Sequence, residues 1–319
     1  MPRIYGQQTV GKRKNQEDSF EIVHQSEVVQ NSDILIMLAD GMGGHAGGEI
    51  ASKLAIHMFT RHFVEVAKGS RPTDRLIGAL HAVNTSIANA ISRDGNLKGM
   101  GCTFIGAIRI NDKLSWVSVG DSHIYLFRRG SLSHINADHS VFGELMEMVA
   151  KGNLTRAEAK AHPRRNALRS AVTGGALTLV DAQTINLEID DVIVIASDGL
   201  DTLPQGEIAE VVSRLQSAPQ KLVTTLLQKI EQRENPNQDN TTIIVYRHCD
   251  SSPSTFQHDS KWSLISDRRR YWFFAICLAS FVGVSAILFY FLLQTNGQDL
   301  PKATPEIKTE TKQSGQAPV

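Results

Sequence analysis

The chain has 319 residues, 41% hydrophobic and 21% charged, which is ordinary for globular protein and long enough for one large domain with more besides. Lys+Arg and Asp+Glu balance at 33 each, so no basic surplus points to nucleic acid. The three cysteines (Cys102, Cys249, Cys277) include no C-x-x-C pair, which argues against a zinc knuckle and a disulfide framework and suits a reducing compartment.

The opening stretch MPRIYGQQTVGKRK lacks the apolar core of a signal peptide, so the domain that follows is expected to stay in the cytoplasm. Strand-like runs bounded by Gly, Asp or Asn then follow at residues 19–23, 34–39, 102–110, 113–119, 123–128, 182–188, 191–197 and 241–247. Two segments carry helical spacing instead. Ile50, Leu54, Met58, Phe59 and Phe63 form one apolar stripe, and Leu76, Leu80, Val83, Ile87 and Ile91 form another. Strands, a helix pair, then a meander of strands predict an α+β fold with helices on antiparallel sheet. The segment VFGELMEMVA at 141–150 reads as a helix used mostly for packing.

The composition changes after residue 248. Residues 249–270 read as a polar linker and 294–319 as a disordered tail. Between them, 271–293 is an apolar run of 23 residues with no charge, and Tyr271, Trp272 and Tyr290 mark its ends. About 20 apolar residues span a bilayer as a helix, and aromatic residues favour its interfaces. Arg268, Arg269 and Arg270 precede the run, whereas the first basic residue after it is Lys302. That bias predicts a single-pass protein of the cytoplasmic membrane, with residues 1–248 in the cytoplasm and the tail outside.

The chemistry gathers where strands end. Asp40-Gly41 follows ILIMLA, Gly120-Asp121 follows LSWVSV, Asp198-Gly199 follows VIVIAS, Asp239-Asn240 precedes TTIIVYR, and Asp18 precedes the first long strand. Any one of these is ordinary turn or cap chemistry. Five together, with no Cys/His cluster to compete, favour a hard cation held by oxygen, namely Mg²⁺ or Mn²⁺. A pair of such ions can polarise a water for in-line attack on phosphorus. Other chemistries lack their signatures. Leu38 stands where an aspartyl nucleophile would need Asp-x-Asp, and neither G-x-S-x-G nor G-x-x-x-x-G-K-[ST] occurs. The stretch GMGGHAGG lacks the order of a dinucleotide-binding loop.

The motifs R-K-N-Q-E-D-S, A-D-G-M-G-G-H-A-G-G, G-C-T, V-G-D-S-H-I-Y, A-V-T-G-G, A-S-D-G-L and D-N-T-T occur in this order over residues 1–247. In that combination the chain resembles the bacterial branch of the metal-dependent Ser/Thr protein phosphatases, the type 2C family. The resemblance implies a four-layer α-β-β-α sandwich of two antiparallel sheets flanked by helices, with two Mn²⁺ or Mg²⁺ ions at one end. It implies Asp40 as the bridging ligand, the Gly41 carbonyl on one ion, and Asp198 and Asp239 on the other. Asp18 would act through a metal-bound water, Asp121 would help hold a third ion, and Arg13 would grip the substrate phosphate. Some relatives place His directly after the Asp-Gly as a general acid; here Met42 stands there, and His45 either donates the proton or orders the turn. Glu17 either assists the water network or is a solvated acidic neighbour, and Cys102 reads as a small buried core residue. The segment 138–173 matches a variable flap whose Glu144, Glu147, Arg156, Glu158, Arg164 and Arg165 contact substrate or face solvent. The implied partners are phosphorylated proteins and a cognate Ser/Thr kinase, and no nucleic acid. A catalytically silent docking module and a small-molecule phosphatase are the competing expectations.

Overall fold

The computed structural model describes residues 3–24, 33–43, 47–65 and 71–249. His45, the apolar run 271–293 and the tail lie outside the described residues. Among the described residues, no helix is long and apolar enough to cross a membrane. Residues 1–251 form one compact unit.

Eleven strands are present among these residues: β1 (Ile4–Thr9), β2 (Asp18–His24), β3 (Ile34–Met42), β4 (Gly101–Cys102), β5 (Phe104–Ile110), β6 (Lys113–Val119), β7 (His123–Arg128), β8 (Ser131–His134), β9 (Asp181–Asn186), β10 (Val192–Ala196) and β11 (Thr241–Arg247). One sheet runs β1-β11-β10-β7-β8, and the other runs β2-β3-β5-β6-β9 with β4 paired to β3. All the pairings are antiparallel. Helices α1 (Gly47–Glu65) and α2 (Pro72–Arg93) pack on the second sheet. Helices α5 (Gln205–Leu215) and α6 (Pro219–Glu231) pack on the first. Two short helices, α3 (Val141–Ala150) and α4 (Arg156–Ala161), precede β9.

The strand sequences explain the layering. Successive side chains on a strand point to opposite faces. On β3, Leu35, Met37 and Ala39 join the helix-side core, and Ile34, Ile36 and Leu38 enter the core between the sheets. On β10, Val192, Val194 and Ala196 meet α5 and α6, whereas Ile193 and Ile195 face inward. Both faces of these strands are buried, which is why they read as unbroken apolar runs and not as alternating ones. Trp116, Tyr246 and Ile244 help fill the space between the sheets. The result is the four-layer arrangement.

Several expectations shift. The strand expected at 102–110 breaks at Thr103, whose N–H and hydroxyl both turn to Asp40. Asp18 belongs to β2 instead of preceding it, and β3 continues through Asp40 to Met42. The helix α3 packs beside α4 with most of its residues half-buried and none fully buried. The strands β1 and β8 and the helices α4, α5 and α6 add to the elements expected from sequence.

Candidate metal centre

In an antiparallel sandwich, strand starts and strand ends alternate along each edge, so one edge collects residues distant in sequence. Here that edge carries Asp18 at the start of β2, Asp40 near the end of β3, Asp121 after β6, Asp198 after β10 and Asp239 before β11. Asp18 and Asp40 are directly paired in the β2–β3 register. Arg13, Asp40, Gly41, Asp121, Asp198 and Asp239 all line one open cavity of about 780 Å³. Asp18 stands behind them, 2% exposed, and its Oδ2 accepts hydrogen bonds from Ser197 Oγ at 2.8 Å and Thr242 Oγ1 at 2.7 Å.

The backbone is shaped for this convergence. A side chain at Gly41 would put its Cβ 2.2 Å from the Gly48 carbonyl oxygen and 2.6 Å from that of Glu17. At Gly199 it would lie 2.2 Å from the Asn240 carbonyl oxygen. Gly120 adopts φ +105°, a left-handed conformation that releases Asp121 from β6. Asn240 ties the loop bearing Arg13 to this edge: its Nδ2 donates to the Val10 and Asn15 carbonyls at 2.9 and 3.0 Å, and its Oδ1 accepts from Glu17 N–H at 2.7 Å. The A-V-T-G-G segment covers one side, with Val172 bridged to Cys102 and Gly174 N–H donating to Asn84 Oδ1 at 2.9 Å.

The electrostatics are those of crowded carboxylates. Burial, then the charges of Asp18, Asp198, Asp121 and Asp239, raise the Asp40 carboxyl well above its ordinary range. Burial, then Asp121 and Asp239, push Asp198 up to about 7. Burial pushes Asp18 up to about 6 even though its hydroxyl donors oppose the shift. Burial also pushes Asp121 up to about 6, with Asp138 and Asp201 adding to it against His123. Asp18 Oδ1 and Asp198 Oδ1 are buried without a hydrogen-bond donor. Buried carboxylate oxygens lacking donors, among four carboxyls that repel one another, fit hard divalent cations. Among the described residues, no three His, Cys, Asp or Glu side chains have closed into a tight ligand cage. Asp40, Asp121, Asp198 and Asp239 line the open cavity instead.

Glu17 departs from the solvated setting, whereas Arg13 and Cys102 lie where the sequence places them. Glu17 is not a solvated neighbour. It is half-buried, lines the cavity, accepts the Gly41 N–H through its carbonyl at 3.1 Å, and has its carboxyl raised by burial. Arg13 donates through Nη2 to Asp239 Oδ2 at 2.5 Å, which holds it at the rim with its side chain 57% exposed. Cys102 is fully buried, and burial pushes its thiol up, out of the range of a nucleophile. One group escaped sequence reasoning. His123 Nε2 lies 3.0 Å from Asp201 Oδ1, beside His134 and Tyr125. The Asp201 of D-G-L-D-T was the available signal.

The family model described as Protein phosphatase 2C matches residues 5–238. The chain belongs to the protein phosphatase 2C family. A relative in that family, the serine/threonine protein phosphatase PstP of Mycobacterium tuberculosis, is 32% identical over 218 residues, covering 66% of this chain. The match spans only 40% of that relative's length. A crystal structure of the Mycobacterium tuberculosis phosphatase PstP/Ppp superposes with a TM-score of 0.66 at 30% identity, covering 78% of this chain and 99% of that one. A structure of the catalytic domain of PstP in complex with two manganese ions gives a TM-score of 0.63 at 29% identity, covering 78% and 98%.

Proposed function

We propose that this chain is a metal-dependent protein-serine/threonine phosphatase that hydrolyses phosphoserine and phosphothreonine in proteins and opposes a Ser/Thr kinase. The observation that carries the reading is the convergence of Asp40, Asp121, Asp198 and Asp239 on one open cavity, with Arg13 at its rim. Membership of the protein phosphatase 2C family supports the same conclusion. Two divalent ions, Mn²⁺ or Mg²⁺, would supply a polarised water and charge to offset the phosphoryl oxygens.

The residues divide the remaining work. Asp40, Asp198, Asp239 and the Gly41 carbonyl would hold the ion pair. Asp121 would hold a third ion, and Asp18 would order water behind Asp40. Arg13 would place a planar guanidinium against the phosphate, a geometry suited to two parallel hydrogen bonds. Its contact with Asp239 keeps it beside the cavity it would serve. His45 is the candidate donor of a proton to the leaving alkoxide. The apolar run 271–293 would anchor the enzyme in the cytoplasmic membrane, with the catalytic domain on the cytoplasmic side.

The test is metal rescue. Protein treated with EDTA should lose hydrolysis of phosphothreonine peptides and of p-nitrophenyl phosphate, and Mn²⁺ or Mg²⁺ should restore both. Full activity in excess chelator would overturn the mechanism.

A further inference from the structure

Thr103 stands between β4 and β5, 3% exposed, and reaches two carboxylate-bearing strand ends at once. Toward Asp40 it makes two hydrogen bonds. Its N–H donates to the Asp40 carbonyl at 2.9 Å, and its Oγ1 accepts the Asp40 N–H at 3.2 Å. Toward Asp121 it makes one, because Oγ1 lies 2.7 Å from Ser122 Oγ in a contact buried from solvent. A hydroxyl has one proton to give and two lone pairs, so this single oxygen serves the Asp40 amide and Ser122 together.

The Asp121 side is shaped to receive that contact. Gly120 packs on Thr103 so closely that a Cβ there would lie 2.6 Å from both Thr103 Cβ and Cγ2. Ser122 is 1% exposed, and its carbonyl accepts Asn136 Nδ2 at 2.9 Å. His139 takes the backbone groups of Gly120, whose N–H donates to His139 Nδ1 at 3.2 Å and whose carbonyl accepts the His139 N–H at 3.0 Å. Both chain neighbours of Asp121 are therefore fixed, and Asp121 shares the cavity lining with Asp40 and Thr103.

We propose that Thr103 is a positioning residue that holds Asp40 and Asp121 in one register, so that the ion pair at Asp40 and the third ion at Asp121 depend on the same buried hydroxyl. This rests on the phosphatase reading above and deepens it, by naming the joint between two of its metal subsites. The hydroxyl acts through hydrogen bonds, and the methyl group acts by filling the space over Gly120. Cutting the joint from either end should therefore have different consequences, since Ser122 touches only the Asp121 side.

The test is calorimetric titration of the full chain, in detergent and without substrate, with Mn²⁺. Wild-type protein should take up two ions more tightly than a third. Ser122→Ala should weaken the third ion roughly five-fold and leave the first two within about two-fold of wild type. Thr103→Val keeps the side-chain shape but also strips the Asp40 N–H of its acceptor, so it should weaken all three ions roughly ten-fold. Thr103→Ser restores the hydroxyl and should return the first two ions to within about two-fold of wild type. A purely structural role would lower the melting temperature in EDTA and leave the order of the three affinities untouched. Equal weakening of all three ions by Ser122→Ala, wild-type binding by Thr103→Val, or a Thr103→Ser protein that behaves as Thr103→Val overturns the proposal. If wild-type protein takes up fewer than three ions, the assignment of a third ion to Asp121 fails by itself. Hydrogen exchange in EDTA then decides the claim about Thr103. Thr103→Val should speed exchange roughly ten-fold at the Asp40 and Gly120 amides together, and Ser122→Ala at Gly120 alone. A Gly120 amide indifferent to both variants overturns it.

Discussion

Asp18 and Asp40 stand opposite one another across the β2–β3 ladder, so two carboxylates share one rung of a sheet. Like charges directly opposite weaken a pairing; burial above all raises both carboxyls, and at Asp40 the charge of Asp18 adds to it.

That crowding predicts how the metal-free protein responds to pH. Asp198 is pushed up to about 7, and Asp18 and Asp121 to about 6, from an ordinary 3.8. At a pH between 3.8 and these raised values, the folded protein binds protons that the unfolded chain does not. Stability in EDTA should therefore rise as pH falls from about 8 to about 5. Saturating Mn²⁺ favours the ionised carboxyls and should flatten or reverse the slope. Thermal melts across pH, with and without metal, check this; a melting temperature in EDTA that climbs with pH would sink it.

Asp40→Asn should trade activity for stability. The amide removes a charge that Asp18, Asp198 and Asp121 all repel, so the variant should melt higher than wild type in chelator. It should also lose nearly all hydrolysis, because the proposed bridging ligand is gone. A variant that melts lower in EDTA contradicts the repulsion argument.

Gly41→Ala asks whether close approach, not backbone freedom, selects glycine there. The new methyl would meet the Gly48 carbonyl oxygen at 2.2 Å in the middle of a buried edge. The expected cost is more than about 1 kcal/mol, with loss of activity, measured by denaturant melts and by turnover of p-nitrophenyl phosphate. Wild-type stability would show that α1 can retreat from β3 at no expense.

Arg13→Ala should raise KM about ten-fold, near 1.4 kcal/mol, and Arg13→Lys should recover part of it. The ion pair with Asp239 adds a second readout, since removing the guanidinium leaves Asp239 freer to take a cation. Metal affinity should hold or rise while phosphate binding falls. If both fall together, Arg13 supports the metal centre instead of the substrate.

For the anchor, alkaline phosphatase fused after Val319 should be active and green fluorescent protein at that position dark. Protein ending at Cys249 should be soluble and hydrolyse p-nitrophenyl phosphate as the full chain does. The reverse fusion pattern would place the catalytic residues outside the cytoplasm and refute the arrangement.

Much of this edge was legible because each strand that delivers a carboxylate is buried on both faces. ILIMLA and VIVIA are unbroken apolar runs, and the Asp at the end of each is conspicuous. The strand β1, IYGQQT, gives no such signal. It pairs only with β11, lies at a sheet edge, and is half-buried throughout, so its pattern is neither alternating nor apolar. The helices α5 and α6 do carry apolar spacing, at Ile208, Val211 and Val212 and at Leu222, Leu226 and Ile230. They hold no carboxylate of the site, so reasoning led by chemistry passed over them. The setting of Glu17 stays open in the sequence because its carboxyl lies against Gly48 on α1, which sequence spacing does not bring near. The helix α3 differs again, for its apolar sequence leaves no residue fully buried. Apolar composition says that a surface seeks cover, not that its own domain supplies it.

Asp18 belongs to one sheet, and the two hydroxyls that clasp it, Ser197 and Thr242, belong to the edge of the other. At this end the two sheets are thus fastened by a polar rivet instead of by greasy side chains. A slip of one sheet over the other by a single residue would tear that rivet and disperse the carboxylates together. Hydrogen exchange at Asp18, Ser197 and Thr242 should then report one shared opening, slow and cooperative, where the mouth of a sandwich would ordinarily fray.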